Sequence, residues 1–443
     1  MTDQDIKYLF DRGMFGMKMG LSNITDLLKY NSVDHSAMHF VHIAGTNGKG
    51  SVANIISAVL TANGYRTGLF TSPHLQRFNE RIKIDGKEIA DEEISSLVRF
   101  FKDGIEKFNC TFFEANTAMA IKYFSDNEVD ISIIETGLGG RLDSTNVITP
   151  VLSVITGVDL DHQKQLGSSI IEIAREKAGI IKKGVPVVLN TDKSSVYKKI
   201  SSAARKKKSK LVNINGRRSP CRFKKQKDRL LMSFFSGGEK CSAVIRLKGD
   251  YQKKNLMTSV AALKILNSRF PIRSAPTKIA LENLRVKGRM EKISDNPLII
   301  IDAAHNVQGL RVLSSEIRKI KDRRVHLIAG TVKDKDYERI LKIISDIDAE
   351  LYFVQASNGR MLESCKASKM IRDKFRKECT CFETSEEVLG HVLKNMGKND
   401  VMIVSGSHFL LGEFLDEFEK IKPNINKIRE NYGRPSENGS QNP

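Results

Sequence analysis

"VHIAGTNGKGSV", Val41–Val52, carries the first decision about this chain. Phosphate-binding loops of the form G-x-x-x-x-G-K-[ST] place a hydroxyl residue directly after the lysine. Here Gly50 stands between Lys49 and Ser51. The surroundings argue for a nucleotide loop all the same. "MHFVHIA" before it is an apolar, partly β-branched run that reads as a strand. "SVANIISAVLTANGY" after it has helical spacing and stops at Asn63-Gly64. Gly45, Thr46, Asn47 and Gly48 therefore lie between a strand and a helix N-terminus, where small residues let backbone N–H groups converge on phosphate oxygens. Lys49 would neutralise the β- and γ-phosphates, and Ser51 would offer its hydroxyl to Mg²⁺.

The rest of the chain repeats the alternation. "DISIIE" and "VLSVIT" read as buried strands, "DEEISSLVRFFKDGIEKF", "EANTAMAIKYFSD" and "SSIIEIAREKAGIIKKG" as helices, and "RIKIDGKEI" as a hairpin turning at Asp85-Gly86. From about 205 to 248 the pattern is less regular and predicts short antiparallel strands. "YQKKNLMTSVAALKIL" resumes a helix, and after "VKGRMEKIS" a second strand–helix series begins with "PLIIID". The fold class expected is α/β: an N-terminal P-loop ATPase-like domain with a mostly parallel sheet over 1–287, and a smaller Rossmann-like α/β domain over 288–422. The polar tail 423–443 is expected to be disordered.

Composition narrows the function classes. The chain has 443 residues, long enough for two cores, and 40% are hydrophobic. No apolar run approaches the ~18 residues of a membrane span. The opening "MTDQDIKYLFDRG" is polar and partly acidic, unlike a secretory signal. The six cysteines include no C-x-x-C pair, which argues against structural zinc and a disulfide framework and suits a reducing cytoplasm. The net charge is +20, and Lys193–Lys248 alone holds 18 basic and 2 acidic residues. A solvated lysine-rich surface is the plain reading. No aromatic residues interleave at stacking intervals, so nucleic acid is not the expected partner.

Polar residues recur at strand ends, where open α/β sheets bind ligands. "IIETGLGGRLDSTN" puts Glu135 at one such end, and "VITGVDLDHQ" follows with Asp159, Asp161 and His162. Glu135 and His162 are candidates to share a metal site with Ser51. Ser72 and His74 in "TSPHLQRFNERI" are candidates for the same cleft, Asn255 for a base or ribose, and Arg289 for a phosphate. "LIIIDAAHN" ends a strand of the second series with Asp302, His305 and Asn306.

Taken in order, "GTNGKGS", "TSPHLQRFNERI", "FFEANTAMA", "ETGLGGRLDSTNV", "LDHQKQLG", "IAREKAGIIKKGVPVV", "KGR", "DAAHN", "KDKD" and "SGSHF" resemble the folylpolyglutamate synthase/dihydrofolate synthase family of the Mur-ligase superfamily. That family carries its loop as G-T-N-G-K-G-[ST], so the intervening Gly50 matches the family form. The resemblance implies an ATP-dependent ligase that joins a folate or pteroate carboxylate to L-glutamate through an acyl phosphate. It implies that Gly45–Ser51 cradle the triphosphate, that Ser51, Ser72, Glu135 and His162 serve two Mg²⁺ sites, and that Asn255, Arg289 and Asp302 hold ATP. His305 and Lys335 take the glutamate side. "FGMKMGLSNI" and Phe113-Glu114 take the pterin side. Tyr251 stands where the family often has histidine, and Lys287 where it often has proline.

Lys177 joins this set by two routes. At 3.6 residues per turn, Ile170, Ile173, Ala174 and Ile181 share a helix face with Lys177 in its middle. A buried ammonium is costly, and the family carries a carbamylated lysine in this segment. The partners expected are ATP, L-glutamate and dihydropteroate or a reduced folate, with no membrane, and the chain is expected to be a monomer. The competing readings are a Mur-type ligase for another acid and a basic nucleic-acid-associated NTPase.

Overall fold

A computed structural model describes residues 2–13, 20–216, 219–226, 229–236, 238–357 and 359–424. The first part of "FGMKMGLSNI" and the tail from 425 lie outside them. The chain divides into two compact units, Met1–Val286 and Lys287–Pro443.

The first unit is built on one sheet with strands β1 (Phe40–Ala44), β2 (Thr67–Phe70), β3 (Ile82–Ile84), β4 (Lys87–Glu88), β5 (Ile131–Glu135), β6 (Leu152–Ile155), β7 (Val187–Leu189) and β8 (Leu211–Asn213). Their order across the sheet is β4-β3-β2-β5-β1-β6-β7-β8. Only the β2–β3 and β3–β4 pairs are antiparallel. The β3–β4 turn uses Asp85 and Gly86, both at positive φ (51° and 78°), as a tight right-twisting hairpin requires. The central strands are buried on both faces, which is why they read as near-continuous apolar runs. One face carries helices Lys49–Ala62, Tyr251–Leu266 and Ser274–Asn283. The other carries Ser22–Tyr30, Asp91–Lys107, Phe112–Asp126 and, beyond β6, Ile170–Ala178 and Ser194–Lys206.

Two expectations are corrected here. The irregular basic stretch does hold an antiparallel sheet, β9 (Cys221–Gln226), β10 (Arg229–Ser236) and β11 (Glu239–Ile245), but β8 pairs parallel with β7 in the main sheet. The helix Ser194–Lys206 makes that crossover, burying Val196, Ile200 and Ala204 at four-residue intervals among exposed lysines. The helix expected through Lys183 ends at Ala178. A β-carbon on Gly179 would overlap the backbone of Arg141, so the chain turns where that loop crosses it.

The second unit holds a six-stranded sheet, with β12 (Glu291–Asp295), β13 (Leu298–Asp302), β14 (Val325–Ala329), β15 (Glu350–Val354), β16 (Cys379–Phe382) and β17 (Val401–Ser405). The order is β12-β13-β17-β14-β15-β16, and only β12 runs antiparallel to its neighbour.

Candidate active site

The loop after β1 is held by side chains that leave its helix end open. Gly48 sits at φ 86° and is the N-cap of Lys49–Ala62, which no side chain caps. A β-carbon at Gly48 would overlap Asn255 Oδ1, and one at Gly45 would overlap Thr156 Oγ1. Both positions therefore need glycine. Thr46 Oγ1 donates to the Asp159 carbonyl (3.1 Å) and accepts from the Asp159 amide (3.0 Å), and Thr156 Oγ1 donates to the Asn47 carbonyl (2.7 Å). The loop is thus tied to the loop after β6. Gly50 faces Glu135: a β-carbon there would already touch Oε2 at 3.4 Å, and any branch beyond it would fill the gap between helix and carboxylate. That close approach is the physical reading of the extra glycine.

Glu135, at the end of β5, is 4% exposed. Its Oε2 accepts from the Ser72 amide (3.2 Å), and its Oε1 lies 4.0 Å from Lys49 Nζ. Lys49 also donates to the Gly45 carbonyl (3.2 Å). Ser51, two residues along, is 1% exposed, and its Oγ has no hydrogen-bond partner among the described residues. Leaving a buried hydroxyl without a partner costs about 1–3 kcal/mol.

Lys177 is 3% exposed, in the last turn of its helix. Burial pushes its ammonium down to about 7, the nearby Lys49 charge adds to the shift, and Asp161 and Asp143 oppose it. The amine therefore belongs to the neighbourhood of Lys49. Asp143 is buried as well, and burial raises its carboxyl against hydrogen bonds from Leu138 N and Thr145. His162 begins the short helix Gln163–Leu166 in a left-handed conformation, with Nε2 3.9 Å from Asp161 Oδ1.

Beyond Ser72, the structure adds a residue that the sequence did not single out. Arg81 is buried; its Nε donates to His74 Nδ1 (2.8 Å) and its guanidinium lies over the Phe112 ring. Burial lowers it to about 10, against the raising effect of Glu135 and Glu80. His74 is pushed down to about 3 by burial and then by the Arg81 charge, so it is neutral. Because Arg81 can only donate, the ring proton sits on Nε2. Asn116, fully buried on Phe112–Asp126, leaves both amide atoms without partners among the described residues. Phe113 lies against Gly137, where a β-carbon would meet its ring at 2.6 Å. Glu114 Oε2 accepts from the Thr111 amide (2.7 Å) and hydroxyl (2.9 Å), a capping box that engages this carboxylate oxygen.

In the second unit, Asp302 is buried and accepts from the Met290 amide (2.8 Å) and the Ala304 amide (2.9 Å). Arg289 lies half-buried between Gly288, at φ 63°, and Met290. His305 Nδ1 lies 2.9 Å from the Ala303 carbonyl, and its ring meets that of His408 edge-on at 4.8 Å. Asn306 caps Val307–Ile317 through Gly309 N (2.8 Å). Lys335 lies half-buried just past Thr331–Lys333, which pairs with Arg360–Leu362.

The profile of the Mur ligase middle domain matches residues 43–263, and that of the Mur ligase glutamate ligase domain matches 288–408. A dihydrofolate synthase/folylpolyglutamate synthase of Bacillus subtilis is 31% identical over 421 residues, covering 92% of this chain and 96% of the relative. The chain belongs to the folylpolyglutamate synthase/dihydrofolate synthase family of Mur ligases. The folylpolyglutamate synthase of Lacticaseibacillus casei is 37% identical over 325 residues, covering 71% of this chain and 76% of the relative. The solved Mycobacterium tuberculosis folylpolyglutamate synthase complexed with ADP superposes with a TM-score of 0.84 at 25% identity, covering 98% of each chain. Membership makes the chain an ATP-dependent ligase that adds glutamate to folates. Among the described residues no helix is long and apolar enough to cross a membrane.

Proposed function

We propose that this chain joins the α-amine of L-glutamate to the carboxylate of dihydropteroate, of a reduced folate, or of both, in the cytoplasm, with ATP activating the acid as an acyl phosphate. The observation that carries the reading is the buried, unpartnered Ser51 Oγ in the first turn of the helix that starts at Lys49, whose ammonium lies beside the buried Glu135 carboxylate. The chemical problem is charge. An anionic carboxylate must meet an anionic γ-phosphoryl group, and negative charge spreads over that group during transfer. The uncapped amides of Lys49–Ala62 and the Lys49 ammonium answer it from the protein side. The acid oxygen attacks the γ-phosphorus and ADP leaves. The glutamate amine then attacks the acyl carbon, phosphate leaves, and the amide forms.

The residues fit Mg²⁺: a hard cation takes oxygen donors, and Ser51 Oγ and Glu135 supply them in a buried setting. Ser72 and His162 complete the proposed ligands for two ions. Bound Mg²⁺ would supply charge screening on the phosphate oxygens. The second unit contributes Arg289 and Asp302 toward ATP, and His305 and Lys335 toward glutamate. Phe113 and Glu114 take the pterin side.

Lys177 is proposed to act as a carbamate. A buried amine lowered to about 7 is largely neutral at mild alkaline pH, and a neutral amine attacks CO₂ and loses a proton to give an anion. The modification would turn a buried cation into an anionic oxygen ligand. Lys177→Ala is expected to keep ATP binding and lose most ligase turnover. Carbon-13 bicarbonate should give a carbamate signal in the wild type and none in the variant; no signal in active, metal- and nucleotide-loaded enzyme rejects the modification.

The overall reading is tested by incubating the purified chain with ATP, glutamate and either dihydropteroate or tetrahydrofolate. Phosphate release is expected only when acid and amine are both present, with a product heavier by one glutamyl residue. Release without either substrate rejects the ligase reading.

A further inference from the structure

The second unit carries a pair of cysteines that the ligase chemistry leaves unused. Cys365 is the second residue of the helix Ser364–Phe375, and Cys381 lies on β16, the edge strand of the six-stranded sheet. Helix and strand pack together in a readable register. Ser368 Oγ lies 3.4 Å from Cys379 Sγ, and Arg372 donates to the Cys379 carbonyl at 2.7 Å. Cys365 is one turn before Ser368 on the helix, so it faces the same strand. Cys381 is two residues past Cys379, so its side chain leaves the sheet on the same face. The register therefore sets Cys365 against Cys381.

The two sulfurs differ in access. Cys365 is exposed and Cys381 half-buried, whereas Cys110, Cys221, Cys241 and Cys379 are buried. The Cys381 thiol is raised above its ordinary value by the neighbouring Cys365, with burial adding to the shift. Cys365 is the sulfur presented to solvent.

We propose that Cys365 and Cys381 form a reversible intramolecular disulfide under peroxide, with Cys365 as the thiol oxidised first and Cys381 as the resolving one. The Cys365 thiol gives up its proton and its sulfur attacks one peroxide oxygen; the O–O bond breaks and hydroxide leaves, taking up that proton as water, and a sulfenic acid remains. The Cys381 sulfur then attacks the Cys365 sulfur and displaces the hydroxyl, which departs as water with the Cys381 proton. Two thiols lose two electrons in all, and the peroxide is reduced to two waters. A small dithiol reverses the step by exchange. The crosslink ties the first turn of Ser364–Phe375 to the sheet edge. That turn continues directly from Arg360–Leu362, which is paired with Thr331 and Lys333 in the arm leading to Lys335.

The test uses the full chain, reduced and then exposed to graded hydrogen peroxide, blocked with N-ethylmaleimide and read by peptide mass. The expected result is joint loss of labelling at Cys365 and Cys381, with a linked peptide that dithiothreitol releases. In Cys381→Ser, the same peroxide should carry Cys365 on to the sulfinic acid. Cys365→Ser, a change at an exposed site, should leave Cys381 labelled throughout. Oxidised wild type should unfold several degrees above its reduced form, a shift absent from both serine variants. The proposal is overturned by Cys365 reaching the sulfinic acid in wild type while Cys381 stays labelled, by crosslinks between chains only, or by both thiols surviving peroxide that oxidises a free small-molecule thiol completely. A fall in unfolding temperature on oxidation would reject the preformed geometry.

Discussion

Two loops of this molecule follow a parallel strand and open a helix, yet they treat their polar atoms in opposite ways. After β1, the helix Lys49–Ala62 begins at a glycine that cannot cap it, and Ser51 Oγ is buried without a partner among the described residues. After β13, Asn306 caps Val307–Ile317 with its own side chain, and Asp302 accepts from two backbone amides. The second loop is satisfied by itself. The first is tied down at its outer edge by Thr46 and Thr156, while the helix end it surrounds is left uncapped. A polar group that a fold leaves unsatisfied at a cost has capacity left for a ligand, whereas a satisfied one is already oriented by the fold before any ligand arrives. The contrast yields a ranked set of outcomes.

The largest effect is expected at Lys49. Its part-buried ammonium sits 4.0 Å from a buried carboxylate, and stabilisation of transferring charge at such a place is worth about 2.7–4 kcal/mol. Lys49→Ala should lower turnover by roughly two to three decades with the fold intact by circular dichroism. Near-normal turnover would remove ATP from this loop.

Ser51→Ala separates function from folding more sharply. Removing a buried hydroxyl that has no partner should leave the ligand-free chain as stable as before, or more stable by about 1 kcal/mol. Turnover should fall at least roughly tenfold, about 1.4 kcal/mol in the barrier. A variant that loses stability in urea would show that the hydroxyl is already satisfied, and the contrast between the two loops would fail.

How far the sequence revealed this contrast depends on what each signal is made of. Strands such as "DISIIE" were legible because parallel strands buried on both faces are continuous apolar runs. The nucleotide loop was legible because glycine at Gly45 and Gly48 answers a local steric demand. The helix Ser194–Lys206 was hidden by composition: its buried stripe of Val196, Ile200 and Ala204 is thin among lysines. Arg81 left no local trace, since its burial comes from Phe112 and its hydrogen bond from His74, contacts made only by folding. Nor does the sequence distinguish Asp302 from Glu135, both acids at strand ends; only the bonds each one makes tell them apart.

Asn306→Ala probes the satisfied loop. Loss of the cap to Gly309 N should cost about 1 kcal/mol, seen as a lower urea midpoint at unchanged slope. Turnover of the folded fraction should stay within about twofold. A hundredfold loss at unchanged stability would show that the Asn306 side chain acts on a ligand and is more than a cap.

The smallest effect is expected where charge is greatest. Arg205, Lys206, Lys207 and Lys208 close the helix Ser194–Lys206, are all exposed, and make no ion pair among the described residues. None of the four is buried, in contrast to Lys177 and the part-buried Lys49 in the same unit. Surface changes of this kind fall within about 0.5 kcal/mol in stability. Replacing all four by glutamine should therefore leave turnover on a monoglutamate acid within about twofold. Long-range attraction of more anionic substrates can still be lost, and it is recognised by its salt dependence, because exposed charges are screened beyond about 8 Å at physiological ionic strength. A loss confined to longer polyglutamates and fading with added salt would mark the cluster as a steering surface. Loss on every substrate, at every salt concentration, would show that unsatisfied buried groups are not the only mark of function in this fold.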